Sequence, residues 1–392
     1  MTDTPRASNT ATATATATAG LPRHTDILVV GAGILGIAHA VEAARSGMTV
    51  RVLERDARAV GASVRNFGHA CVSAQPDELL ATALDSREGW LAAASEAGIW
   101  AREAGAVVVA RTPAELGLLE EFRDQRGTEL VELLDAAGTA ARIGQPAADA
   151  GIIGGAFLPA DLRVDPRTAV GGLTRSLISR AGVEVLFRTA VGRIGDGEVA
   201  TARGTFTADH VVVCTGHDLD QLLPDLADTH RVRRCALNMA SADAVPGLRT
   251  ESALLTGFSM VRYGGFSALP SGPAVAAELA ERRPDLTGID ANIMLTTRPD
   301  GTVLLGDSHH RDLTVDPFLD EDVTRLLLDE LASIVSPSGF RVRQRWQGVY
   351  ASSPDTDLLV ERVHPRTTVA VVTTGIGMTM SFGVARRVLR DL

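Results

Sequence analysis

Residues 26–36 of the chain read DILVVGAGILG. Residues 27–30 form a short apolar run, as expected for a central strand that is buried on both faces of a parallel sheet. Three glycines follow within the next six residues, and an apolar pattern with helical spacing continues to residue 44. A strand, a glycine-rich turn and a helix in this order predict the opening of a dinucleotide-binding βαβ unit.

Each glycine of this turn has a separate task. Gly31 makes the tight turn, Gly33 lets the backbone approach a pyrophosphate, and Gly36 lets the helix pack closely on the strand. The helix that begins here presents free N–H groups and a partial positive charge at its first turn. We therefore expect Ile34 and Leu35 to belong to the cofactor site together with the three glycines.

An acidic residue closes the unit. Gly47 ends the helix, a second strand is predicted over residues 49–53, and Glu54 follows it. This glutamate comes about 20 residues after the turn, where a carboxylate accepts hydrogen bonds from ribose hydroxyls. Arg55 beside it is included in the predicted site. A carboxylate at this position disfavours the 2′-phosphate of NADP.

The remaining pattern distributes strands over the whole chain. It predicts short strands at 183–187, 189–194, 198–201 and 205–208, a buried strand at 209–215 that ends at Gly216, a helix near 320–334, a buried strand at 369–373, a glycine turn at 374–377, and a closing helix from about Ser381. NAD dehydrogenases seldom delay the second half of the cofactor site to the last residues of the chain. This order therefore favours FAD over NAD.

The composition is that of an ordinary soluble enzyme and excludes several classes of protein. The 392 residues are 45% hydrophobic and 22% charged. The formal net charge is −10, so the chain lacks the excess of basic residues that is typical of a nucleic-acid-binding protein. The sequence contains no lysine, so no lysine Schiff base can form. No apolar run approaches the ~18 residues of a membrane-spanning helix. We expect a cytoplasmic protein.

No metal pattern or targeting pattern is present in the sequence. Cys71, Cys214 and Cys235 are odd in number, widely spaced and outside any metal-ligand pattern, so no metal site is predicted. They fit a reducing cytosol as small core residues. Residues 1–20 end in ATATATATAG and lack the basic start and apolar core of a secretory signal. We expect residues 1–21 to form a disordered tail.

Several longer stretches resemble one family of flavoenzymes. The similar stretches are DILVVGAGILG, ERD at 54–56, GASVRNFGHA at 61–70, VDPRTAV at 164–170, DHVVVCTG at 209–216, RPDGTVLLGDS at 298–308, RWQGVYASSPDTDLL at 345–359 and VTTGIGMTMSFG at 372–383. They resemble the glycine oxidase/sarcosine oxidase (D-amino acid oxidase-like) family, in the family's order, through most of residues 26–390. The resemblance implies an FAD-dependent oxidoreductase.

The same resemblance implies a domain organisation. The fold class is α/β, with a Rossmann-like FAD-binding domain and an inserted α+β substrate domain built on a mixed sheet. The FAD-binding domain is expected over residues 22–85, 150–220 and 340–392. The substrate domain is expected over residues 86–149 and 221–339.

Carried over residue by residue, the resemblance extends the cofactor site. Beside the isoalloxazine ring it places Ser63, Arg65, Asn66 and Gly68, although Arg65 could instead form a surface salt bridge. It assigns Val191 to the adenine, Thr215 and Gly216 to the pyrophosphate, Gly375, Gly377, Met378 and Thr379 to the flavin ring, and Gly348 to the cofactor site in general. Monomeric sarcosine oxidases attach FAD through a cysteine near the C-terminus. No cysteine follows Cys235, so non-covalent FAD is expected.

The family's chemistry is the transfer of a hydride from the carbon next to an amine nitrogen to flavin N5. Glycine oxidases present an arginine to the substrate carboxylate within a WxGxRP stretch, and this chain has Tyr350 at that place. They carry another arginine in the C-terminal turn, where this chain has Met378. The loss of two guanidiniums weakens the case for a simple α-amino acid as substrate.

A replacement cluster for substrate binding is available. Arg262 and Tyr263, with His309 and His310, could hold a dianionic group such as a phosphonate, and Tyr350 completes the predicted catalytic set. The histidines could also be solvated loop residues, and Arg262-Tyr263 a strand edge. GASVRNFGHA and GIGMTMSFG also resemble a subgroup associated with aminoalkylphosphonate breakdown. That likeness implies oxidation of an N-alkylated 2-aminoethylphosphonate to phosphonoacetaldehyde and an amine.

Three other interpretations remain open. The first is an amino-acid oxidase that acts on glycine, sarcosine or a D-amino acid. The second is a 2-hydroxy acid dehydrogenase on the same fold, with His309 as its base. The third is a flavoprotein module that acts only within a larger complex. The electron acceptor, O2 or another compound, is also open. Some relatives activate oxygen with a lysine near the flavin, and this chain has no lysine, so either an arginine or a histidine takes that role or oxygen is a poor acceptor.

Overall fold

The structure is a computed structural model, and it describes residues 22–145, 150–248 and 250–392. The tail predicted over residues 1–21 lies outside the described residues. None of the helices in these ranges combines the length with the apolar character that crossing a bilayer requires.

Strands and helices are both distributed over the described chain. The strands are β1 (His24–Val30), β2 (Val50–Leu53), β3 (His69–Ala70), β4 (Ala101–Arg102), β5 (Ala106–Ala110), β6 (Glu132–Asp135), β7 (Gly154–Leu158), β8 (Leu162–Val164), β9 (Val183–Leu186), β10 (Val191–Ile194), β11 (Glu198–Thr201), β12 (Gly204–Val213), β13 (Arg233–Ala242), β14 (Ala253–Leu255), β15 (Met294–Thr297), β16 (Val303–Gly306), β17 (His310–Asp312), β18 (Val342–Ser352), β19 (Leu358–His364) and β20 (Thr367–Val372). The α-helices are α1 (Ile34–Arg45), α2 (Asp77–Ala97), α3 (Pro113–Arg126), α4 (Ala136–Ile143), α5 (Pro166–Ile178), α6 (Pro224–Thr229), α7 (Gly257–Met260), α8 (Gly264–Ser267), α9 (Gly272–Arg282), α10 (Pro284–Gly288), α11 (Glu321–Val335) and α12 (Gly377–Arg390).

The N-terminal strand forms the centre of the first sheet. β1 pairs in parallel with β2 on one side and with β12 on the other. β9 extends the sheet beyond β2, and β20 extends it beyond β12, again in parallel. β10, β11 and β19 add antiparallel edges. The carboxyl ends of β1, β2, β12 and β20 therefore meet at one edge, where ligands bind in sheets of this kind.

Both faces of this sheet are covered. Ile27 and Val29 of β1 pack with α1, α2, α5 and α12 on one face, whereas Leu28 and Val30 pack into a second apolar cluster on the opposite face. Alternate side chains of a strand point to opposite faces, so an unbroken apolar run fits a strand that is buried on both. The predicted central strand and the predicted α/β fold are confirmed.

The second sheet is mixed and larger. Its strands run in the order β17-β13-β16-β15-β14-β5-β7-β6, with β18 paired along β13. β14 and β5 are parallel, and the other paired strands of this sheet are antiparallel. Helices α3, α9 and α11 contribute apolar side chains to its core. A small sheet of β3, β8 and β4 lies apart from both.

The division into domains by residue number stays a prediction, and two strands cross it. β7 and β18 lie in ranges that the sequence assigns to the FAD-binding domain. However, β7 pairs with β5 and β6, and β18 pairs with β13, all in the second sheet. Strand partners depend on long-range packing, which the local apolar pattern does not encode.

Two elements differ from the sequence prediction. Residues 205–208 and 209–215 were expected as separate strands, but a single strand, β12, runs through both because no turn interrupts it. Its first half pairs with β11 and its second half with β20. The closing helix begins at Gly377 and not near Ser381. The glycine turn therefore passes directly into a helix N-terminus.

Candidate active site

The turn between β1 and α1 requires glycine at two positions for steric reasons. Gly31 has a φ of +101°, and a Cβ there would lie 2.6 Å from the carbonyl oxygen of Cys214. A Cβ at Gly36 would collide with the carbonyl oxygen of Gly31. Gly33 differs, because a Cβ there would meet only Ser63 Oγ, at 3.2 Å. Glycine at position 33 therefore keeps the space in front of the turn open.

That space is a cavity of about 410 Å³ that reaches from the carboxyl ends of β1 and β2 to the second sheet. Most residues of the predicted cofactor site line it, namely Gly31, Gly33, Ile34, Leu35, Glu54, Arg55, Ser63, Arg65, Asn66, Val191, Thr215, Gly216, Gly348, Gly375, Gly377 and Met378. The catalytic candidates Arg262, Tyr263, His309 and Tyr350 line the same cavity. One continuous space thus joins both predicted groups.

Three residues of the predicted cofactor site are not part of the cavity lining. They are Gly36, Gly68 and Thr379. Gly68 has a φ of +66°, and a Cβ there would collide with the carbonyl oxygen of Val164. Thr379 Oγ1 accepts a hydrogen bond from the backbone N–H of Cys71 at 3.0 Å. Their roles in this structure are steric and structural.

The cavity wall carries polar groups that suit FAD. The buried hydroxyls of Thr215 and Thr374 line the cavity and have no hydrogen-bond partner in the described part of the chain. The first turn of α1 also opens onto the cavity, with Ile34 N donating to Ser63 Oγ at 2.9 Å. Unpaired hydroxyls and helix N-terminal N–H groups are suitable donors for a pyrophosphate. The backbone of Gly33 and the hydroxyl of Thr215 would hold that part of FAD, whereas the N–H of Ile34 is already bonded to Ser63 Oγ.

Glu54 is held in one orientation by the backbone. Its Oε2 accepts from Ala32 N at 2.8 Å and its Oε1 accepts from Asp56 N at 2.9 Å. The side chain is buried but lines the cavity, so its remaining lone pairs can accept from a ribose. Arg55 lines the cavity with its guanidinium paired, because its Nη2 forms an ion pair with Oδ2 of Asp218, another lining residue, at 2.7 Å.

The loop over residues 62–68 is fastened to β18. Arg65 donates to the carbonyl oxygen of Gln347 at 3.2 Å, and Trp346 Nε1 donates back to the carbonyl oxygen of Arg65 at 3.2 Å. Asn66 Nδ2 donates to the carbonyl oxygen of Ala62 at 2.9 Å within the loop. Arg65 therefore joins the two halves of the cavity wall, in place of the surface salt bridge that the sequence left open.

Arg262 and Tyr350 form a pair on the second-sheet side of the cavity. Arg262 Nη2 donates to Tyr350 Oη at 2.7 Å, and Arg262 Nη1 lies 3.6 Å from Asp290 Oδ2. Burial raises the pKa of the Tyr350 phenol above its ordinary value, so the hydroxyl stays protonated. Tyr350 stands where glycine oxidases have an arginine, and it accepts a hydrogen bond from a different arginine of the cavity wall, Arg262.

The two adjacent histidines point in opposite directions. His309 lines the cavity, and its Nδ1 lies 2.8 Å from the carbonyl oxygen of Asp290. A carbonyl only accepts, so Nδ1 carries the hydrogen. Burial and then Arg262 lower the pKa of His309 well below its usual range, which leaves Nε2 as an acceptor. His310 is the first residue of β17, where it is exposed and does not line the cavity.

Tyr263 also lines the cavity, and its hydroxyl donates to Met294 Sδ at 3.9 Å. Burial raises the pKa of this phenol well above its ordinary value, so the hydroxyl stays protonated. The assignment of Tyr263 to anion binding stays a prediction.

Sequence reasoning missed Asp307. This carboxyl lines the cavity, is 4% exposed, and its Oδ1 has no hydrogen-bond partner among the described residues. Its Oδ2 lies 3.7 Å from His309 Nε2. Burial raises the pKa of Asp307 to about 7, and the guanidinium of Arg262 limits the rise. Its position directly after the strand TVLLG was the available signal, since carboxyl ends of strands often carry site residues.

Another polar cluster has metal-ligating residue types but is a hydrogen-bonded network. His69, Cys71 and Asp161 are buried together. His69 Nε2 lies 2.8 Å from Asp161 Oδ2, and Asp161 Oδ1 accepts from the backbone N–H groups of Val72 and Ser73. Two atoms 2.8 Å apart share a hydrogen, whereas ligands at about 2.1 Å from a tetrahedral zinc lie roughly 3.4 Å apart. The cluster holds the loop that follows β3.

A comparison with protein families shows which family the chain belongs to. The chain matches the family model described as DAO, FAD dependent oxidoreductase, over residues 26–390. It belongs to that family. Its cofactor is accordingly FAD, and the protein is an oxidoreductase. None of the curated proteins compared with it matches its sequence significantly.

Solved structures with the same fold are close in shape but distant in sequence from this DAO family member. Glycine oxidase from Geobacillus kaustophilus superimposes with a TM-score of 0.74 at 20% identity, over 94% of each chain. L-amino acid deaminase from Proteus vulgaris gives a TM-score of 0.75 at 18% identity, over 96% of this chain and 95% of that one. Iminodiacetate oxidase from Chelativorans sp. BNC1 gives 0.69 at 18% identity, over 92% of this chain and 93% of that one.

Non-covalent binding of FAD fits the cysteines of this DAO family member. Cys214 is the one cysteine of the described chain that lines the cavity, and burial raises its pKa, so a nucleophilic thiolate is disfavoured. Cys71 and Cys235 are buried elsewhere. We therefore expect FAD to be held by hydrogen bonds and packing alone.

Replacement of Glu54 tests the cofactor assignment. Glu54→Gln keeps the size of the side chain and removes the charge that would strengthen a hydrogen bond from the ribose, and it also turns its NH2 group toward one of the two backbone N–H groups that Glu54 accepts from. We expect the Kd for FAD to rise about 10- to 100-fold, which corresponds to roughly 1.5–3 kcal/mol. The Kd can be measured by titrating flavin-free protein with FAD. Unchanged affinity together with unchanged folding would remove Glu54 from the cofactor site.

Proposed function

We propose that this FAD-dependent enzyme oxidises the C–N bond of a small secondary amine that carries an anionic group at its far end. The best candidate is an N-alkylated 2-aminoethylphosphonate, which would give phosphonoacetaldehyde and an amine. The observation that carries the proposal is the Arg262–Tyr350 pair, joined at 2.7 Å in the wall of the cavity that also receives FAD.

Arg262 has the donors that a distal anion needs. Its side chain is only 17% exposed, and no ion pair shorter than 3.6 Å engages it within the described ranges. An anion in a largely dry cavity costs several kcal/mol unless donors surround it. A guanidinium offers a fork that contacts a phosphonate or carboxylate at two points. The hydroxyl of Tyr350 is at hand as a further donor.

His309 is suited to a different task from anion binding. Its Nδ1 hydrogen is committed to the carbonyl oxygen of Asp290, and its Nε2, which lies 3.7 Å from Asp307 Oδ2, is left as an acceptor. An acceptor does not bind a phosphonate oxygen. We therefore propose Arg262 with Tyr350 as the anion site, and place His309 near the amine or the water that completes the reaction.

FAD, when bound, supplies the acceptor for a hydride from the carbon beside the amine nitrogen. The chain's own residues bind the two ends of the substrate, exclude water and orient that carbon. Water then adds to the oxidised carbon, and the C–N bond breaks to release aldehyde and amine. These steps need no lysine, which agrees with a chain that has none.

The names of two structural neighbours support a fold that accepts anionic substrates. The name of iminodiacetate oxidase refers to a secondary amine with two carboxylates. The name of L-α-glycerophosphate oxidase from Mycoplasma pneumoniae refers to a compound with a phosphate. At 18% and 17% identity these likenesses concern the fold alone. They make an anionic substrate compatible with this architecture.

The proposal is tested by anaerobic mixing of the holoenzyme with a panel of compounds while flavin absorbance is recorded. We expect N-methyl-2-aminoethylphosphonate to reduce the flavin faster than sarcosine or an uncharged N-methylalkylamine does. Faster reduction by sarcosine would favour an amino-acid oxidase. Faster reduction by a 2-hydroxy acid would favour the rival dehydrogenase, for which the neutral Nε2 of His309 would be the base.

The anion site is tested by Arg262→Ala. Loss of one charged hydrogen-bonding group should raise KM for the phosphonate about 10- to 100-fold and change KM for the uncharged amine little. Arg311→Ala is the matched control, because Arg311 also contacts Asp290 but is not part of the cavity lining. Equal losses for charged and uncharged amines would give Arg262 a structural role.

A further inference from the structure

We infer that Asp307 is a catalytic residue that binds the ammonium group of the substrate and takes its proton before oxidation. The inference deepens the proposed function and rests on it, because it assumes an amine substrate. Asp307 lines the substrate side of the cavity, and its unpaired carboxylate oxygen is the feature that requires a partner.

The carboxyl is held rigidly where it can meet a substrate. It follows the last residue of β16, and Asp307 and Asn292 exchange two backbone hydrogen bonds of 2.8 Å each. Oδ1 is buried without a partner in the part of the chain that the structure describes. A buried and unpaired acceptor costs about 1–3 kcal/mol, so such groups usually serve a ligand.

The groups around Asp307 are four neutral side chains, one cation and one anion. The titratable or charged groups that face it are Arg262, Asp290, His309, Tyr263, Tyr350 and Cys235. Arg262 is the cation and Asp290 is the anion, and no ion pair joins Arg262 to Asp307 within residues 22–145, 150–248 and 250–392. A cation bound at Oδ1 would therefore meet a carboxylate on which Arg262 acts only without direct contact, while Arg262 keeps its donors for the anion of the substrate.

The proton step balances within this geometry. The N–H bond of the ammonium breaks, the proton joins the Asp307 carboxylate, and the electron pair stays on nitrogen. That lone pair then supports departure of a hydride from the adjacent carbon to the flavin of the proposed function. An ordinary ammonium has a pKa of about 10.4, and transfer into a dry cavity lowers it. Burial raises the pKa of Asp307 to about 7, which reduces the difference between the pKa of the ammonium donor and that of the carboxylate acceptor.

His309 is a weaker candidate for this step. Its Nε2 is also an acceptor, but burial lowers the pKa of His309 well below its usual range, so it holds a proton poorly. It also brings no charge to pair with an ammonium. Asp307 offers both the charge and the better base, and His309 lies 3.7 Å from it as a neutral neighbour.

The first test is the pH dependence of flavin reduction in anaerobic holoenzyme mixed with N-methyl-2-aminoethylphosphonate. In the wild-type protein, the rate constant of flavin reduction divided by the Kd of the amine should fall about tenfold per pH unit below pH 7. The reason is that protonated Asp307 cannot accept the proton of the ammonium group. Asp307→Asn should lose this ionisation and react about 100-fold or more slowly at pH 7.5. The ionisations of the substrate itself are common to both proteins.

Asp290→Asn is the matched control. Asp290 is the other carboxyl near Arg262, it is mostly paired with Arg311, and its φ of +48° is one that asparagine tolerates. This variant should keep the ionisation but move it to somewhat lower pH, because the negative charge of Asp290 contributes to the raised pKa of Asp307. Loss of the ionisation in Asp290→Asn, or its persistence in Asp307→Asn, would overturn the inference.

The second test does not depend on turnover or on the folding of a variant. The probe is 2-(trimethylammonio)ethanesulfonate, whose two charges are constant with pH and which has no N–H to lose. Because Asp307 must be ionised to attract the cation, calorimetry on wild-type holoenzyme should show about tenfold tighter binding at pH 8 than at pH 6. Asp307→Asn should bind it equally at both pH values.

The outcomes separate the two proposals. If no amine reduces the flavin but probe binding still strengthens between pH 6 and pH 8, the proposed function fails and the cation site at Asp307 stands. If amines reduce the flavin and probe binding is independent of pH, the proposed function stands and the role of Asp307 is refuted.

Discussion

Gly36→Ala is expected to destabilise the protein by about 3 kcal/mol or more and to prevent it from retaining FAD. The added methyl would collide with the carbonyl oxygen of Gly31 and lie 3.0 Å from Val29 Cγ1. Gly31 cannot move away, because its own turn, with a φ of +101°, lies against the carbonyl oxygen of Cys214. The clash must therefore push α1 off the sheet. The free energy of unfolding from urea denaturation and the flavin content measure both effects.

Gly33→Ala is the matched control three residues earlier. Gly33 has a φ of −68° and a ψ of 175°, which any residue adopts, and a Cβ there would meet only Ser63 Oγ at 3.2 Å. Its free energy of unfolding should change by no more than about 1 kcal/mol. FAD affinity should nevertheless fall, because the methyl enters the space of the pyrophosphate. Equal stability losses for the two variants would contradict this separation of fold from binding.

Trp90→Ala is expected to lower the free energy of unfolding by about 3–5 kcal/mol. Trp90 of α2 is fully buried, its ring packs edge-on against Phe382 with centroids 5.2 Å apart, and its Nε1 donates to the carbonyl oxygen of Met378 at 2.6 Å. Met378 lines the cavity at the start of α12. Loss of the indole therefore removes core packing and also frees the end of α12 that faces the flavin.

Trp90→Phe separates these contributions. It retains most of the packing and loses the hydrogen bond to Met378, so we expect a loss of about 1–2 kcal/mol. Urea denaturation of holoenzyme and of flavin-free protein gives the comparison. A larger effect of Trp90→Ala in the holoenzyme would show that the indole supports cofactor binding. The same small loss for both substitutions would mean that α2 does not hold α12.

The cofactor half of the site was predictable because its constraints are local. Gly36 is required by the backbone of Gly31 five residues earlier, and Gly31 is required by its own φ of +101° as well as by the distant carbonyl oxygen of Cys214. The position of Glu54 follows from one strand length. Sterics of this kind are the same wherever the βαβ unit occurs. The residues 31–36 and Glu54 therefore lie where the sequence predicts them.

The substrate half depends on long-range pairing, which the sequence does not encode locally. The choice between His309 and His310 follows from the packing of the segment between β16 and β17, in which His309 is buried while His310 is exposed. Arg262 and Tyr350 meet only because separate elements face one cavity. Asp307 was missed because its burial and its lack of a partner are properties of the assembled wall.

The order of strands in the first sheet has a consequence for protein synthesis. β12 ends at Val213, and its parallel neighbour β20 begins at Thr367, so the ribosome makes β13 to β18 of the second sheet in between. Until β20 emerges, the C-terminal half of β12 has an open edge with unpaired backbone groups, which invites association with other chains. The turn that carries Gly375 and Gly377 emerges later still. We therefore expect a nascent chain that ends before Thr367 to bind FAD weakly and to depend on chaperones.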